Sequence, residues 1–365
     1  MVESRYVSSM EEIKMILFFG GRLLMKIVAL FPETQKDNNN QLLSTEKALG
    51  LRPFLEEKGH ELVIISDTES QLEPHLKDMS VIISSPFFPA YVNEDLIQKA
   101  PQLQLAITAG VGSDHVDLDA AINHNISVVE VTGSNVVSVA EHAVMDILIL
   151  LRNFLEGHRQ AVEGEWNLPK VGNHAHDLEG KTVGIFGFGR IGQLVAQRLQ
   201  PFDVKLQHHD PLHEEQLHGS QSVSFEELVE TSDILTIHAP LTKQTEHLFN
   251  RELLNKMKRG AYLVNTARGK IVDRDALKEV LESDHLAGYA GDVWYPQPAP
   301  SDHPWRTMPK QGMTIHYSGM TLEAQARIEE GVKDILTRFF ENRPMQPKDV
   351  IVEGGQIASS SYRVK

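Results

Sequence analysis

The run Val183-Gly184-Ile185-Phe186-Gly187-Phe188-Gly189-Arg190-Ile191-Gly192 constrains the fold of this chain more than any other stretch. An apolar strand running into glycines at this spacing predicts strand, tight turn and helix N-terminus, the geometry that seats a dinucleotide pyrophosphate. Gly187 permits the turn, Gly189 lets backbone approach the phosphates, and Gly192 lets the helix pack closely on the strand. The helix beginning near Arg190 then offers unpaired N–H groups and a positive dipole end to the pyrophosphate. Asp210 follows Gly192 by about 18 residues, at the end of the next predicted strand, Val204–His208. A carboxylate there accepts from both ribose hydroxyls and repels a 2′-phosphate, which points to NAD rather than NADP.

At 365 residues and 41% hydrophobic content, the chain suits two domains with full-sized cores. Its net charge of −15, without a basic run, argues against nucleic acid or an anionic membrane as a partner. The absence of cysteine excludes disulfides, thiolate metal sites and a cysteine nucleophile. The partly apolar stretch Met15–Met25 is interrupted by Gly20, Gly21 and Arg22 and is too short to span a bilayer. Glu3, Glu11 and Glu12 do not suit a transit peptide. Residues 1–24 therefore read as an N-terminal extension or as the product of a start codon assigned too early, and a cytoplasmic location is expected.

From Met25 onward, short β-branched runs alternate with helical patterns. Strands are predicted at Ile27–Phe31, Leu62–Ser66, Val81–Ser84, Gln104–Thr108 and Ser127–Val131, with helices over Ser44–Lys58 and Asn93–Ala100. A long apolar helix, Ser138–Phe154, contains only Glu141, His142 and Asp146 as charged or titratable interior residues. A second βα series places strands at 183–186, 204–208, 234–238, 261–265 and 287–291. The helix Leu322–Asn342 and an irregular tail follow. The fold class is α/β, with two doubly wound parallel-sheet domains. Residues 25–134 with 320–365 form the substrate domain, flavodoxin-like, and 135–319 form the dinucleotide-binding Rossmann domain. The cleft between them is the expected active site.

Two stretches carry candidate chemistry. In Asn265-Thr266-Ala267-Arg268-Gly269, Arg268 follows the predicted strand 261–265, beyond whose carboxyl end ligands bind. Its guanidinium fork matches a carboxylate bidentately; the alternative is a surface Arg paired with Asp273 or Asp275. In Thr314-Ile315-His316-Tyr317-Ser318-Gly319, His316 ends a strand-like run just before the predicted return to the first domain. His174 and His176, and the pair His208-His209, lack partners at metal-ligand spacing and read as structural or surface residues, so no metal site is expected.

With these residues assembled, much of the chain resembles the NAD-dependent D-2-hydroxyacid dehydrogenases, and more closely their formate dehydrogenase branch. The matching stretches are Val81–Tyr91, Ala109–Asp117, Asn135–His142, Gly187–Gly192, Asn265–Lys270, Ala287–Trp294, His303–Pro309 and His316–Gly319. In the wider family a Glu five residues after the counterpart of Asp292 pairs with the catalytic His; here that position is Gln297, as in the formate dehydrogenase branch. Oxidising a hydroxy acid requires removal of a hydroxyl proton, and a Glu charge stabilises the imidazolium that results. Formate carries no hydroxyl, so a neutral Gln orients His316 without adding charge.

The resemblance implies roles for further residues. Arg268 and Asn135 would hold the formate oxygens, with backbone near Val111 as another donor, and His316 and Gln297 would complete the catalytic set. Pro86 and Phe87 would wall a small dry pocket. Gly187, Gly189, Arg190, Ile191, Gly192, Asp210, Pro240, Gln244, Thr245, Thr266, Ala267, Arg268, Asp292, His316, Ser318 and Gly319 would contact NAD. The implied reaction is metal-independent oxidation of formate to carbon dioxide by direct hydride transfer, in a homodimer. The apolar helix Ser138–Phe154 suits a dimer interface, although a domain interface explains it equally. The chain lacks a stretch that many relatives carry after the first strand. It has Ile315 for a usual Pro, Val136 for a usual Ser, and Pro211 where relatives often carry Arg. The last change implies weaker NAD binding. The rival readings are another D-2-hydroxyacid dehydrogenase, of lactate or glycerate type, and an NAD-sensing binding module.

Overall fold

The structure is a computed structural model that describes residues 18–19, 22–31, 42–44, 47–66, 71–86, 91–359 and 362. These fall into two compact units, one within 18–134 and 322–362 and the other spanning 135–321.

In the first unit, strands β1 (Lys26–Leu30), β2 (Glu61–Ile65), β3 (Met79–Ser84), β4 (Leu105–Thr108) and β5 (Ser127–Glu130) pair in parallel in the order β5-β4-β3-β1-β2. β3 and β4 are buried throughout, as parallel strands covered on both faces must be. The second unit adds β6 (Thr182–Phe186), β7 (Lys205–His209), β8 (Ser220–Ser222), β9 (Ile234–Ile237), β10 (Tyr262–Asn265), β11 (Gly288–Gly291) and β12 (Gln311–Met313). All are parallel, in the order β8-β7-β6-β9-β10-β11-β12. Strand order reverses between β6 and β9, so the crevice beyond Phe186 and Ile237 is the switch point where such sheets bind ligands. The chain then returns to the first unit. There β13 (Val350–Glu353) pairs antiparallel with β5, and β14 (Gln356–Ile357) extends the edge.

Three local departures from the sequence reading have physical causes. The helix expected over Ser44–Lys58 forms only at Leu51–Glu57, because Leu49 and Gly50 both have left-handed φ, 51° and 60°. The chain before it is held instead by the Gln325 amide oxygen, which accepts from Leu42 N at 2.7 Å and Leu43 N at 3.3 Å. The helix expected over Ser138–Phe154 runs from Val136 to Leu151. Asn153 then turns left-handed at φ 47° and a second helix, Phe154–Glu163, begins; Asn tolerates that conformation better than most residues. The tail taken as irregular contains β13 and β14 because Val350-Ile351-Val352 buries its apolar side chains against the sheet. Residues 1–17, within the expected extension, lie outside the described residues, whereas Phe18–Phe19 and Arg22–Leu23 pair antiparallel.

Candidate active site

At the switch point the three glycines do three different things. Gly187 has φ +90°, and a Cβ there would sit 2.4 Å from Ala239 N, inside the backbone that leaves β9. Gly192 lies in the helix Arg190–Leu199, and its Cβ would meet Gly187 O at 2.3 Å. Gly189 caps that helix, and a Cβ on it would meet nothing within 4 Å. Two glycines are thus required by the fold, and the third faces open space at a helix N-terminus. Arg190 is exposed, and Ile191 is half-buried behind it.

Asp210 stands beside this turn. Its Oδ2 accepts from Phe188 N at 2.7 Å and its Oδ1 from Leu212 N at 2.8 Å, so the carboxylate is aimed by the glycine loop itself. A carboxylate offers about four acceptor positions, and two bonds leave capacity for ribose hydroxyls. His208, fully buried, stacks on Phe188 at 3.7 Å and uses both ring nitrogens, on Ser220 Oγ and His213 O. Burial holds its pKa down. It is a structural side chain, as is His209, whose Nδ1 contacts Val223 O. Among the described residues no three His, Asp or Glu side chains gather to hold a metal ion.

Beyond β9 the loop 238–245 flanks the same crevice. His238 Nε2 bonds Thr236 Oγ1 at 2.9 Å, and burial keeps the ring neutral at ordinary pH. Nothing in the sequence singled it out. Pro240 is exposed, and its carbonyl accepts from Thr245 Oγ1 at 2.7 Å, which closes the loop; Gln244 projects into solvent. Beyond β10, the fully buried Asn265 organises the next loop: its Oδ1 accepts from Ala267 N and its Nδ2 donates to Arg268 O, each at 3.0 Å. Gly269 is obligatory there, since a Cβ would lie 2.6 Å from the Trp294 carbonyl carbon. Arg268 is half-buried at the strand end, its Nη1 donating to Ala267 O. The acids weighed as surface partners have other work. Asp273 caps the helix Arg274–Glu282, and Asp275 pairs with Arg274. Thr266 is buried, with no hydrogen-bond partner for its Oγ1 among the described residues.

The turn after β12 carries His316, in left-handed φ (61°), rather than at the end of a strand as the β-branched run implied. Its cause is Asp292, a fully buried carboxylate just after β11. Oδ1 accepts from Thr314 Oγ1 at 2.6 Å and Tyr317 N at 2.9 Å, and Oδ2 from Ser318 N at 2.7 Å. These bonds bend the backbone around His316 and satisfy a charge that burial would otherwise make costly. His316 Nδ1 lies 2.7 Å from Gln297 Oε1, so the ring N–H donates to an uncharged amide. Ile315 is exposed, while Ser318 and Gly319 are buried behind the turn. Asn135 stands at the start of the helix Val136–Leu151 but makes no side-chain cap, and its buried Oδ1 has no partner among the described residues. An Asn at a helix start that leaves the cap unmade is held for something else.

In the first unit, Pro86 is buried after β3, and Phe87 lies outside the described residues. Val111 sits between Gly110 (φ 149°) and Gly112 (φ 103°). Its loop is anchored by Glu130, which accepts from Gly112 N and Ser113 Oγ, and by Tyr362 OH, which accepts from Ser113 N.

The glycine turn, Asp210 and the buried unpartnered Thr266 Oγ1 and Asn135 Oδ1 fit a dinucleotide whose reactive end meets a small polar ligand. Comparison with known proteins agrees. The family profile of the D-isomer specific 2-hydroxyacid dehydrogenase NAD binding domain matches residues 144–318. The chain is 49% identical to the mitochondrial formate dehydrogenase of Solanum tuberosum, over 91% of this chain and 90% of that one. It is 52% identical to the formate dehydrogenase of Pseudomonas sp. (strain 101), over 88% and 82%. Among solved structures it is similar to the NAD-dependent formate dehydrogenase of Staphylococcus aureus in complex with NAD. That match has 69% identity and a TM-score of 0.89, covering 90% of this chain and 99% of that one. The chain belongs to the D-isomer specific 2-hydroxyacid dehydrogenases and, within them, to the formate dehydrogenases. Its second unit is a Rossmann domain that binds NAD.

The glycine geometry separates two variants. Gly187→Ala, with a Cβ driven into backbone at positive φ, loses roughly 2–4 kcal/mol of stability, seen as a large fall in Tm. Gly189→Ala keeps the wild-type Tm but raises KM for NAD+ at least tenfold, because its methyl occupies only the ligand's approach.

Proposed function

We propose that this chain oxidises formate to carbon dioxide with NAD+, and the His316–Gln297 pair carries the reading. The reaction balances as formate plus NAD+ giving carbon dioxide plus NADH: the C–H bond breaks with its electron pair, and no proton is released. A site for it needs cations and donors around a carboxylate, and a dry surround, but no strong base. Arg268 supplies the fixed charge and the bidentate fork. Asn135 contributes its amide Nδ2–H, which donates to the other oxygen. His316, oriented through Nδ1 by Gln297, presents its other face to the substrate without a carboxylate to draw a proton onto the ring. NAD+, held by the glycine turn, Asp210, Thr266 and the Ser318–Gly319 end of the catalytic turn, supplies the hydride acceptor. Exclusion of water favours the transition state because carboxylate charge disperses as carbon dioxide forms.

We further propose a cytoplasmic homodimer. Supporting the dimer, Phe154, Leu155, Val162, Trp166 and Leu168 are exposed apolar side chains within one short stretch of the second unit, Trp166 being 86% exposed. Among the described residues no helix is long and apolar enough to cross a membrane, and the net charge of −15 disfavours nucleic acid.

Purified protein with NAD+ should reduce it with formate and not with lactate or glycerate, followed at the reduced nicotinamide absorbance. Turnover with a hydroxy acid alone would replace this reading with the wider family's chemistry. Gln297→Glu places a charge 2.7 Å from the His316 ring, and kcat/KM for formate should fall at least tenfold, about 1.4 kcal/mol. An unchanged rate would refute the neutral-partner argument. Asp210→Ser, which loses the charge that repels a 2′-phosphate, should raise the NADP+/NAD+ ratio of kcat/KM at least tenfold.

A further inference from the structure

Ser138, His142 and Asp146 recur every four residues along the mostly apolar helix Val136–Leu151 and therefore share one face. All three are buried, Asp146 to 1% exposure. That face lies along the segment bearing His316. Ser138 Oγ is 2.8 Å from Thr321 Oγ1, His142 Nε2 is 3.4 Å from Thr314 Oγ1, and the His142 ring meets Tyr317 edge-on at 5.0 Å. His142 thus touches the residues on both sides of the Ile315–His316 pair. Because the Thr314 hydroxyl donates to Asp292 at 2.6 Å, its oxygen receives the Nε2–H of a neutral His142. Asp146 Oδ1 lies 3.6 Å from that same nitrogen, too far for a hydrogen bond, and Oδ2 has no partner among the described residues. Of the two buried acids, Asp292 has three donors and bears the charge; Asp146, undersatisfied and desolvated, keeps its proton.

We propose that His142 and Asp146 are positioning residues, whose uncharged state holds Thr314 and, through Asp292, the turn presenting His316, and that loss of the Asp146 proton releases that turn. The ionised Asp146 draws the His142 N–H away from Thr314 and repels Asp292. The groups acting on Asp146 are few. They are His142 on its own helix, Asp292 after β11, Tyr289 on β11 and Tyr317 on the turn. Burial, then the Asp292 charge, pushes the Asp146 carboxyl up to about 8. Burial holds His142 down, against the pull of Asp292. Burial pushes both tyrosines up, opposed at Tyr289 by Asn265 and reinforced at Tyr317 by Asp292. Of Asp146, His142, Tyr289 and Tyr317, only Asp146 changes state between about pH 7 and 9. On the helix Arg190–Leu199 packed alongside, Arg198 pairs with Glu141, on a different face.

The test rests on the formate reading and separates from it. The kcat/KM for formate at saturating NAD+ and the kcat/KM for NAD+ are measured from about pH 6 to 10 in wild type, Asp146→Asn and Asp146→Leu, with Tm at each pH. Wild type should lose activity about tenfold per pH unit above an alkaline inflection. Both variants, unable to ionise, should lack that limb or show it at least one pH unit higher. Because the native pKa lies above the unfolded one, the native state binds the extra proton between them. Wild-type stability therefore falls as pH rises from about 4 to about 8, and the Tm advantage of the variants should widen over that window. His142→Phe keeps the ring but not the donor, and should raise KM for formate several-fold at every pH. A widening Tm gap with an unchanged alkaline limb in both variants would make Asp146 merely structural and overturn the proposal. A wild type without formate-dependent NADH would instead overturn the formate reading.

Discussion

The Asp292 carboxylate is the interaction on which the site depends. Two oxygens take one hydroxyl and two backbone N–H groups from residues 314, 317 and 318, and so turn a β-prone segment through a left-handed His316. Without those acceptors the backbone donors would be unsatisfied inside the protein, and Thr314-Ile315-His316 would be free to continue β12. The charge that makes Asp292 an effective acceptor must also be held in a desolvated place. Its surroundings follow from that need: a histidine whose pKa burial lowers, a carboxyl that burial pushes up to about 8, and the fully buried Tyr289, whose ionisation burial opposes.

The site also limits charge where the chemistry happens. Gln297 orients His316 through a hydrogen bond of the same length a carboxylate would make, but without the field that would favour an imidazolium. Hydride loss from formate leaves a neutral product, so the useful charge is the guanidinium of Arg268, proposed above to hold the substrate, and little else is required. A hydroxy acid needs a base as well. One side chain at one position therefore divides two reactions built on the same fold.

The sequence made visible whatever depends on local backbone chemistry. The glycine turn was legible because its positions 187 and 192 admit no Cβ, and the doubly wound order because buried parallel strands read as continuous apolar runs. Elements governed by distant partners were not. The expected helix starts only at Leu51: Leu49 and Gly50 are left-handed, and Gln325, far along the chain, takes the N–H groups of Leu42 and Leu43 ahead of them. Val350–Val352 becomes a strand only because β5 offers an edge. The titratable residues of the apolar helix stood out in the sequence, yet their relation to Thr314 and Asp292 exists only once β11 and β12 are folded beside them. Asn135 belongs to both groups, since its family likeness was readable and its refusal to cap its own helix was not.

Isotope transfer tests the account most directly. With deuterated formate in ordinary water, direct hydride transfer predicts that every NADH formed carries one deuterium at the nicotinamide C4. With ordinary formate in heavy water it predicts none, each read by mass spectrometry. Unlabelled NADH from deuterated formate, or label arriving from solvent, would contradict a site built to move hydride from a C–H bond without a protein base.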